Sequence, residues 1–150
     1  MKHATIEDYD SICALFDKHR EHFPYFRRDG LMDRLNGYRR GGVVYESGVV
    51  ISYHYYGVSY KIGNVRVNSG DVIINELAKE DGGDAKGVVS RFFDYVARPV
   101  WLTVRRDNIR AKKFYDKMGM KIIGEIFWGN GRIEGDVYVY GHSDLNKFMV

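Results

Sequence analysis

A chain of 150 residues, 45% hydrophobic and 29% charged, has the make-up of one soluble globular domain large enough to bury a single core. No apolar run approaches the roughly 20 residues of a membrane span, and Met1-Lys2-His3-Ala4-Thr5 leads into a polar segment without an apolar signal core. Lys and Arg number 23 against 20 Asp and Glu, a formal charge of +3 that mildly favours an anionic ligand and is too small to argue for nucleic acid. The lone Cys13 has no disulfide partner, which points to a reducing cytoplasm.

In chain order, Lys2 to Ile6 is predicted as a strand and Glu7 to His22 as a helix that carries Ile12, Leu15, Phe16 and His19 near one stripe and stops at Pro24. A second helix is expected from Arg28 to Arg39, with Leu31, Leu35 and Tyr38 at helical spacing before Gly41-Gly42. The period then changes: Val43 to Tyr45, a turn at Glu46-Ser47-Gly48 and Val49 to Tyr56 predict a hairpin. Its Tyr53-His54-Tyr55-Tyr56 run suits either the floor of a binding site or a half-buried strand. Further strand passes through Gly63-Asn64 and Asn68-Ser69-Gly70 and ends in Asp71 to Ala78.

From there the elements alternate. Gly82-Gly83-Asp84 opens a helix through Val88, Phe92, Phe93 and Val96, and Val100 to Val104 has the pattern of a buried strand. A helix over Ile109 to Met118 stops at Gly119, and two strands, Met120 to Trp128 and Ile133 to Tyr140, flank a turn at Gly129-Asn130-Gly131. The sum is a mixed α/β domain, a sheet of about seven strands with about four helices. Neither a Cys/His cluster at metal-ligand spacing, nor a Walker loop, nor a Gly-x-Ser-x-Gly elbow occurs, so no metal is expected.

The stretch from Asn108 to Gly119 carries the chemistry. Ala111, Phe114, Tyr115 and Met118 recur on one face, Lys112, Lys113, Asp116 and Lys117 are expected elsewhere, Asp107 or Asn108 can cap the start, and Gly119 can end it. The pattern Asn108-x-x-Ala111-x-x-Phe114-Tyr115-x-Lys117-x-Gly119-Met120, set between two strands, resembles the later motif of the GCN5-related N-acetyltransferases, the GNAT family. The resemblance implies a single GNAT-like domain over 1–150, acetyl-CoA as co-substrate, and an amine-bearing acceptor. It also implies that Asn108, Ala111, Phe114 and Tyr115 lie along the co-substrate, with Asn108 and Tyr115 lining the cleft where acetyl-CoA meets the amine and both counted as catalytic. That family holds the CoA diphosphate on a loop of the form Arg/Gln-x-x-Gly-x-Gly/Ala after a strand, and Gly82-Gly83-Asp84-Ala85-Lys86-Gly87 aligns with it. Gly82 stands where a long side chain is usual, and Ala85 replaces the first Gly of the pattern. The implied contacts are the backbone of Leu77, Ala78 and Lys79 and the amides of Gly83, Asp84, Ala85, Lys86, Gly87 and Val88. A helix start offers free N–H groups and the positive end of its dipole to such an anion. Asp84 adds an opposing charge that Lys79 and Lys86 can compensate.

Amide formation from a thioester needs a neutral amine, an aimed carbonyl and a proton for the departing thiolate. Tyr115 suits the last role, since a phenol keeps its proton at neutral pH. Glu76 is the first choice of base, with Asp71 and His54 behind it. Each has a structural alternative, as a strand-face charge, a turn residue and a member of a tyrosine-rich strand respectively. The run Arg105-Arg106, Arg110, Lys112-Lys113 supports a second reading, a GNAT-like binding module or nucleic-acid-modifying protein. Monomer and homodimer are both compatible with the sequence.

Overall fold

The computed structural model describes residues 1–141, with Arg39 described by its backbone alone. Helices α1 (Tyr9–Lys18) and α2 (Arg28–Leu35) precede strands β1 (Gly42–Glu46), β2 (Val49–Tyr55), β3 (Tyr60–Ile62), β4 (Val65–Val67) and β5 (Val72–Lys79). Then come α3 (Ala85–Val96), β6 (Val100–Arg105), α4 (Ile109–Lys117), β7 (Lys121–Trp128) and β8 (Ile133–Tyr140). Six strands hydrogen-bond in the order β1-β2-β5-β6-β8-β7, and β3 pairs with β4 alone. This is a mixed α/β fold. Its expected first strand is reduced to one antiparallel bridge, His3 to Val44, because Ile6–Asp8 wind into a 3-10 turn. No helix among the described residues is long and apolar enough to cross a membrane.

The residues gather into two compact units, the first made of Met1–Tyr55 with Ile74–Phe92 and the second of Tyr56–Ile73 with the chain from Phe93 onward. In the first unit, α1 buries Ile12, Cys13, Leu15 and Phe16 against Leu31, Val43, Val50 and Ala78. The helix ends at Lys18, earlier than the expected His22, because the chain turns at His19 to bring Phe23 and Phe26 back onto Phe16. Those rings pack edge-on at 4.9 Å and stacked at 4.2 Å between centroids. Likewise α2 stops at Leu35 rather than Arg39, since Gly37 adopts a left-handed φ of 77° and Tyr38–Arg40 form a separate 3-10 turn. The β1/β2 hairpin closes on Ser47 and Gly48, with φ of 48° and 73°, the two left-handed residues that a tight turn between right-twisted strands requires.

In the second unit, β6, β8 and β7 form an antiparallel run from Val100↔Tyr140 to Trp128↔Ile133, with a bulge between Ile122 and Gly124. Val72 and Ile73 of β5 pair parallel with Val100 and Trp101. The core gathers Ile62, Val67, Trp101, Val137 and Val139. Trp101 is fully buried, and its indole Nε1 donates to Asp71 Oδ2 at 3.0 Å, so the one polar atom of that ring is satisfied.

Candidate functional site

At the start of α3 the Gly-rich loop is tied to the β1/β2 hairpin. Asp84 N donates to Ser47 O at 3.0 Å and Gly83 N to Glu80 O at 2.9 Å. A Cβ on Gly83 would lie 2.6 Å from Gly48 O, so glycine is required there by the close approach of two backbones. Asp84 is the N-cap of the helix: its Oδ1 accepts the amide of Gly87 at 3.0 Å, and its carbonyl accepts that of Val88. The carboxylate lies over Gly87, where a Cβ would sit 2.2 Å from Oδ2. Of the loop amides named above, Gly83, Asp84, Gly87 and Val88 are therefore engaged, and Ala85 and Lys86 have no acceptor among the described residues. The geometry fits a diphosphate only in part: two amides and the helix dipole favour it, while the Asp84 carboxylate occupies the same helix start and repels it. On the strand before this loop, Ala78 is buried in the α1 core, Leu77 is half-buried and Lys79 exposed.

Glu76 lies on β5, half-buried, with Ser52 Oγ of β2 donating to its Oε2 at 2.7 Å. Burial raises its carboxyl above the usual range, and the Ser52 hydrogen bond and the Arg34 guanidinium on α2 offset part of that rise. The two other base candidates have structural partners. Asp71 is buried and accepts from the Trp101 indole and, at 3.3 Å, from Asn68 N. His54 is buried with its Nδ1 3.0 Å from the Asn75 carboxamide. Ser52 escaped the sequence reading because its strand is otherwise apolar and a lone serine carries no spacing signal.

Helix α4 starts at Asn108, whose Oδ1 accepts the amide of Ala111 at 3.2 Å, so Asn108 and not Asp107 is the cap. It ends in a Schellman turn: Gly119 N donates to Asp116 O and Met120 N to Tyr115 O, both at 3.1 Å, around Gly119 at φ 85°. Ala111, Phe114, Tyr115 and Met118 are half-buried along one face, as the spacing predicts. Lys112 and Asp116 depart from the expectation that they point away. Lys112 Nζ stands 2.6 Å from Asp136 Oδ2, and Asp116 Oδ1 accepts the hydroxyl of Tyr138 at 3.1 Å. To the buried carboxylate on β8, α4 supplies a counter-charge, with Oδ2 left without a well-aligned hydrogen bond among the described residues, and to the buried phenol it supplies an acceptor. The Tyr115 ring lies 5.6 Å from that of Tyr138. Its hydroxyl makes no hydrogen bond among the described residues, and burial pushes the phenol up to about 12.

Most of the basic run is already neutralised. Arg105 pairs with Asp107, Arg106 with Asp136, Glu134 and Glu125, and Lys112 with Asp136. Arg110 and Lys113 face solvent on the outer side of α4, where with Ile109, Phe114 and Lys117 they line a shallow cavity of about 500 Å³. No group of three His, Cys, Asp or Glu able to hold a metal ion occurs among the described residues.

No family model matches the chain, and no curated protein matches it. Solved structures do. Arabidopsis thaliana NAA60 in complex with acetyl-CoA is similar over 93% of this chain and 96% of its own, at 16% identity and a TM-score of 0.67. An acetyltransferase of the GNAT family from Bacillus cereus is similar over 93% of this chain and 94% of its own, at 13% identity and a TM-score of 0.67. A chimera of the Vibrio cholerae spermidine N-acetyltransferase covers 97% of this chain and 96% of its own, at 17% identity and a TM-score of 0.63. At these identities the likeness is one of fold: the chain has the GNAT fold.

Proposed function

We propose that this chain, which has the fold of the GNAT acetyltransferases, moves an acetyl group from acetyl-CoA directly to a primary amine. The observation that carries the reading is the Tyr115 phenol, sunk beside Tyr138 on a helix that begins at the Asn108 cap, with a hydroxyl that the described residues leave unpartnered. The ring is half-buried and its hydroxyl is spent on no contact with the described residues, so it is free to meet a ligand at no cost to the fold.

In the proposed reaction the amine nitrogen attacks the thioester carbonyl, the carbon–sulfur bond breaks, and an amide and a free thiol result. Glu76 takes the proton that the amine loses, and Tyr115 gives its proton to the sulfur. The charge balance is restored when Glu76 releases its proton to solvent and the phenolate takes one up from solvent. A phenol near 12 is a weak donor towards a thiolate of ordinary pKa, about 8.5. Burial raises the pKa of either anion, so a thiolate formed next to the same phenol is also a stronger base than in water. The mismatch shrinks, and the hydroxyl acts mainly by donating a hydrogen bond as charge develops on sulfur. Glu76 is tuned the right way for its role, because a carboxylate with a raised pKa is a better base.

The diphosphate of the co-substrate is assigned to the amides of Ala85 and Lys86, and the carboxylate of Asp84 weakens that contact. The rival reading, a nucleic-acid module, loses force because the carboxylates named above already pair Arg105, Arg106 and Lys112. Turnover of acetyl-CoA against a panel of amines, read as thiol release, tests the proposal. The expected result is acceptor-dependent thiol release by the wild type. If acetyl-CoA binds no better than a nucleic acid competitor and no amine stimulates release, the enzyme reading fails.

A further inference from the structure

We propose that Asp136 and Tyr138 of β8 are positioning residues, which hold α4 at two points and so fix the direction of the Tyr115 hydroxyl. The inference rests on the reading of Tyr115 as the group that serves the departing sulfur.

Four residues of an α-helix rise about 6 Å, and two residues of a strand about 6.7 Å. Lys112 and Asp116 are four apart on α4; Asp136 and Tyr138 are two apart on β8 and so share a face of the sheet. The two spacings match, so one helix turn lies along one strand repeat with a polar tie at each end: Lys112 Nζ to Asp136 Oδ2 at 2.6 Å, and Tyr138 Oη to Asp116 Oδ1 at 3.1 Å. Tyr115 belongs to the turn so tied, and its ring leans on that of Tyr138. A single tie would let the helix roll about the contact. Two ties a turn apart fix the roll, and the roll decides where the Tyr115 hydroxyl points.

The anchor on the sheet side is rigid. Asp136 Oδ1 accepts Arg106 Nε at 3.2 Å, and the same guanidinium reaches Glu134 at 2.9 Å and Glu125 at 3.3 Å. One fork thus spans three carboxylates on two neighbouring strands, which leaves the Asp136 carboxylate one orientation. The Asp136 side chain is only 7% exposed, and among the described residues its Oδ2 faces Lys112 while its Oδ1 faces Arg106. A buried Asp on the same face as the buried Tyr138 is expensive for packing alone, since an apolar residue would fill the space without a desolvation cost. A positioning task explains why it is there.

The test is steady-state kinetics of Tyr138→Phe, Lys112→Met and Lys112→Arg, each alone and combined with Tyr115→Phe, with thermal melts to confirm folding. Tyr138→Phe and Lys112→Met are expected to lower kcat by about tenfold with the KM for acetyl-CoA unchanged, a loss of k with no loss of ground-state binding. Lys112→Arg keeps the charge and should restore most of the rate. In the Tyr115→Phe background neither change should slow the enzyme further, because the group being positioned is gone. Wild-type kcat in both single variants would overturn the proposal while leaving Tyr115 in its role. The same holds if they lose as much in the Tyr115→Phe background as alone. If Tyr115→Phe itself turns over at the wild-type rate, the reading of Tyr115 falls first and the positioning role falls with it.

Discussion

Helices α3 and α4 both begin at a short polar cap, Asp84 on one and Asn108 on the other, and both caps accept an amide three residues on. The caps differ by one charge. Asn108 satisfies its helix with a neutral oxygen and leaves the positive end of the dipole uncompensated, whereas Asp84 places a carboxylate there and neutralises it. The motif residues have also been used differently. At α3, Gly83 and Gly87 are explained by backbone crowding and by the space that the Asp84 carboxylate needs. At α4, the cap and the Schellman turn use Asn108, the carbonyl of Tyr115 and Gly119, and the phenol hydroxyl remains over. The chemistry of a motif lies in the valences left after the fold has taken its share. On that measure α4 is the stronger half.

The sharpest way to break the comparison is Tyr115→Phe. Loss of a positioned proton or hydrogen-bond donor should lower kcat by about 10²-fold with the KM for acetyl-CoA nearly unchanged. Because the hydroxyl makes no bond among the described residues, the melting temperature should scarcely move. A stability loss with full turnover would make Tyr115 a packing residue.

Glu76→Gln comes next, and it separates function from stability. Burial raises the Glu76 carboxyl above its ordinary 4.5, so the folded chain holds this proton more tightly than the unfolded one. The resulting stability is complete below the unfolded value of 4.5 and is lost as the pH rises through the folded value. Above the folded value the wild type carries the cost of a desolvated charge that Gln lacks. The margin by which the Gln variant outlasts wild type in thermal melts should therefore widen as the pH is raised from about 4, while its turnover falls by about 10²-fold. Full activity together with a lower melting point at pH 7 would remove Glu76 as the base.

The α4 half was legible in the sequence because each of its signals is local: cap, apolar stripe and terminal glycine all lie within Asn108 to Gly119. The same was true of the hairpins and of α3, whose bounds agree with the expectation to within a residue or two. What the sequence did not show depends on partners distant along the chain. Asp71 looks like a turn residue until Trp101, 30 positions on, is seen to donate to it. Lys112 looks solvated until Asp136 meets it from β8. Helix α1 stops short of the expected His22 because the cluster of Phe16, Phe23 and Phe26 that bends the chain, one pair edge-on and one stacked, has no helical or strand period. Asp84 was legible as an unhelpful charge but not as the cap, since Gly-rich loops have no fixed backbone until they are packed.

Asp84→Ser tests the α3 half. Serine keeps a capping oxygen and removes the charge, so stability should hold within a few tenths of a kcal/mol. Two unit charges 4 Å apart in water repel by about 1 kcal/mol, which a diphosphate at the helix start makes somewhat larger. Acetyl-CoA affinity should therefore rise by roughly tenfold at low salt, a change of about 1.4 kcal/mol. The gain should shrink as salt is added, since the groups involved are exposed. An affinity that does not move, or moves without salt dependence, would detach the co-substrate's phosphates from α3.

The smallest effect expected is that of Gly87→Ala on stability, and it comes from two opposed terms. A Cβ at this position would lie 2.2 Å from Asp84 Oδ2, so the carboxylate must swing away and its bond to the Gly87 amide is lost. Losing an N-cap contact costs typically about 1 kcal/mol. In the same position alanine replaces glycine within a helix, which gains about 1 kcal/mol through backbone entropy. Gly87 lies inside α3 and has no left-handed φ to be strained by the change. The two terms cancel to first order, so the melting temperature should stay within a few degrees of wild type. In Asp84→Ala, where no carboxylate remains to be displaced, the clash is absent and only the propensity gain is left. Gly87→Ala should then stabilise that variant by about 1 kcal/mol, measured by denaturant titration. An equal effect in both backgrounds would mean that Asp84 does not cap this helix in solution, and the charge difference between the two helix starts would lose its structural basis.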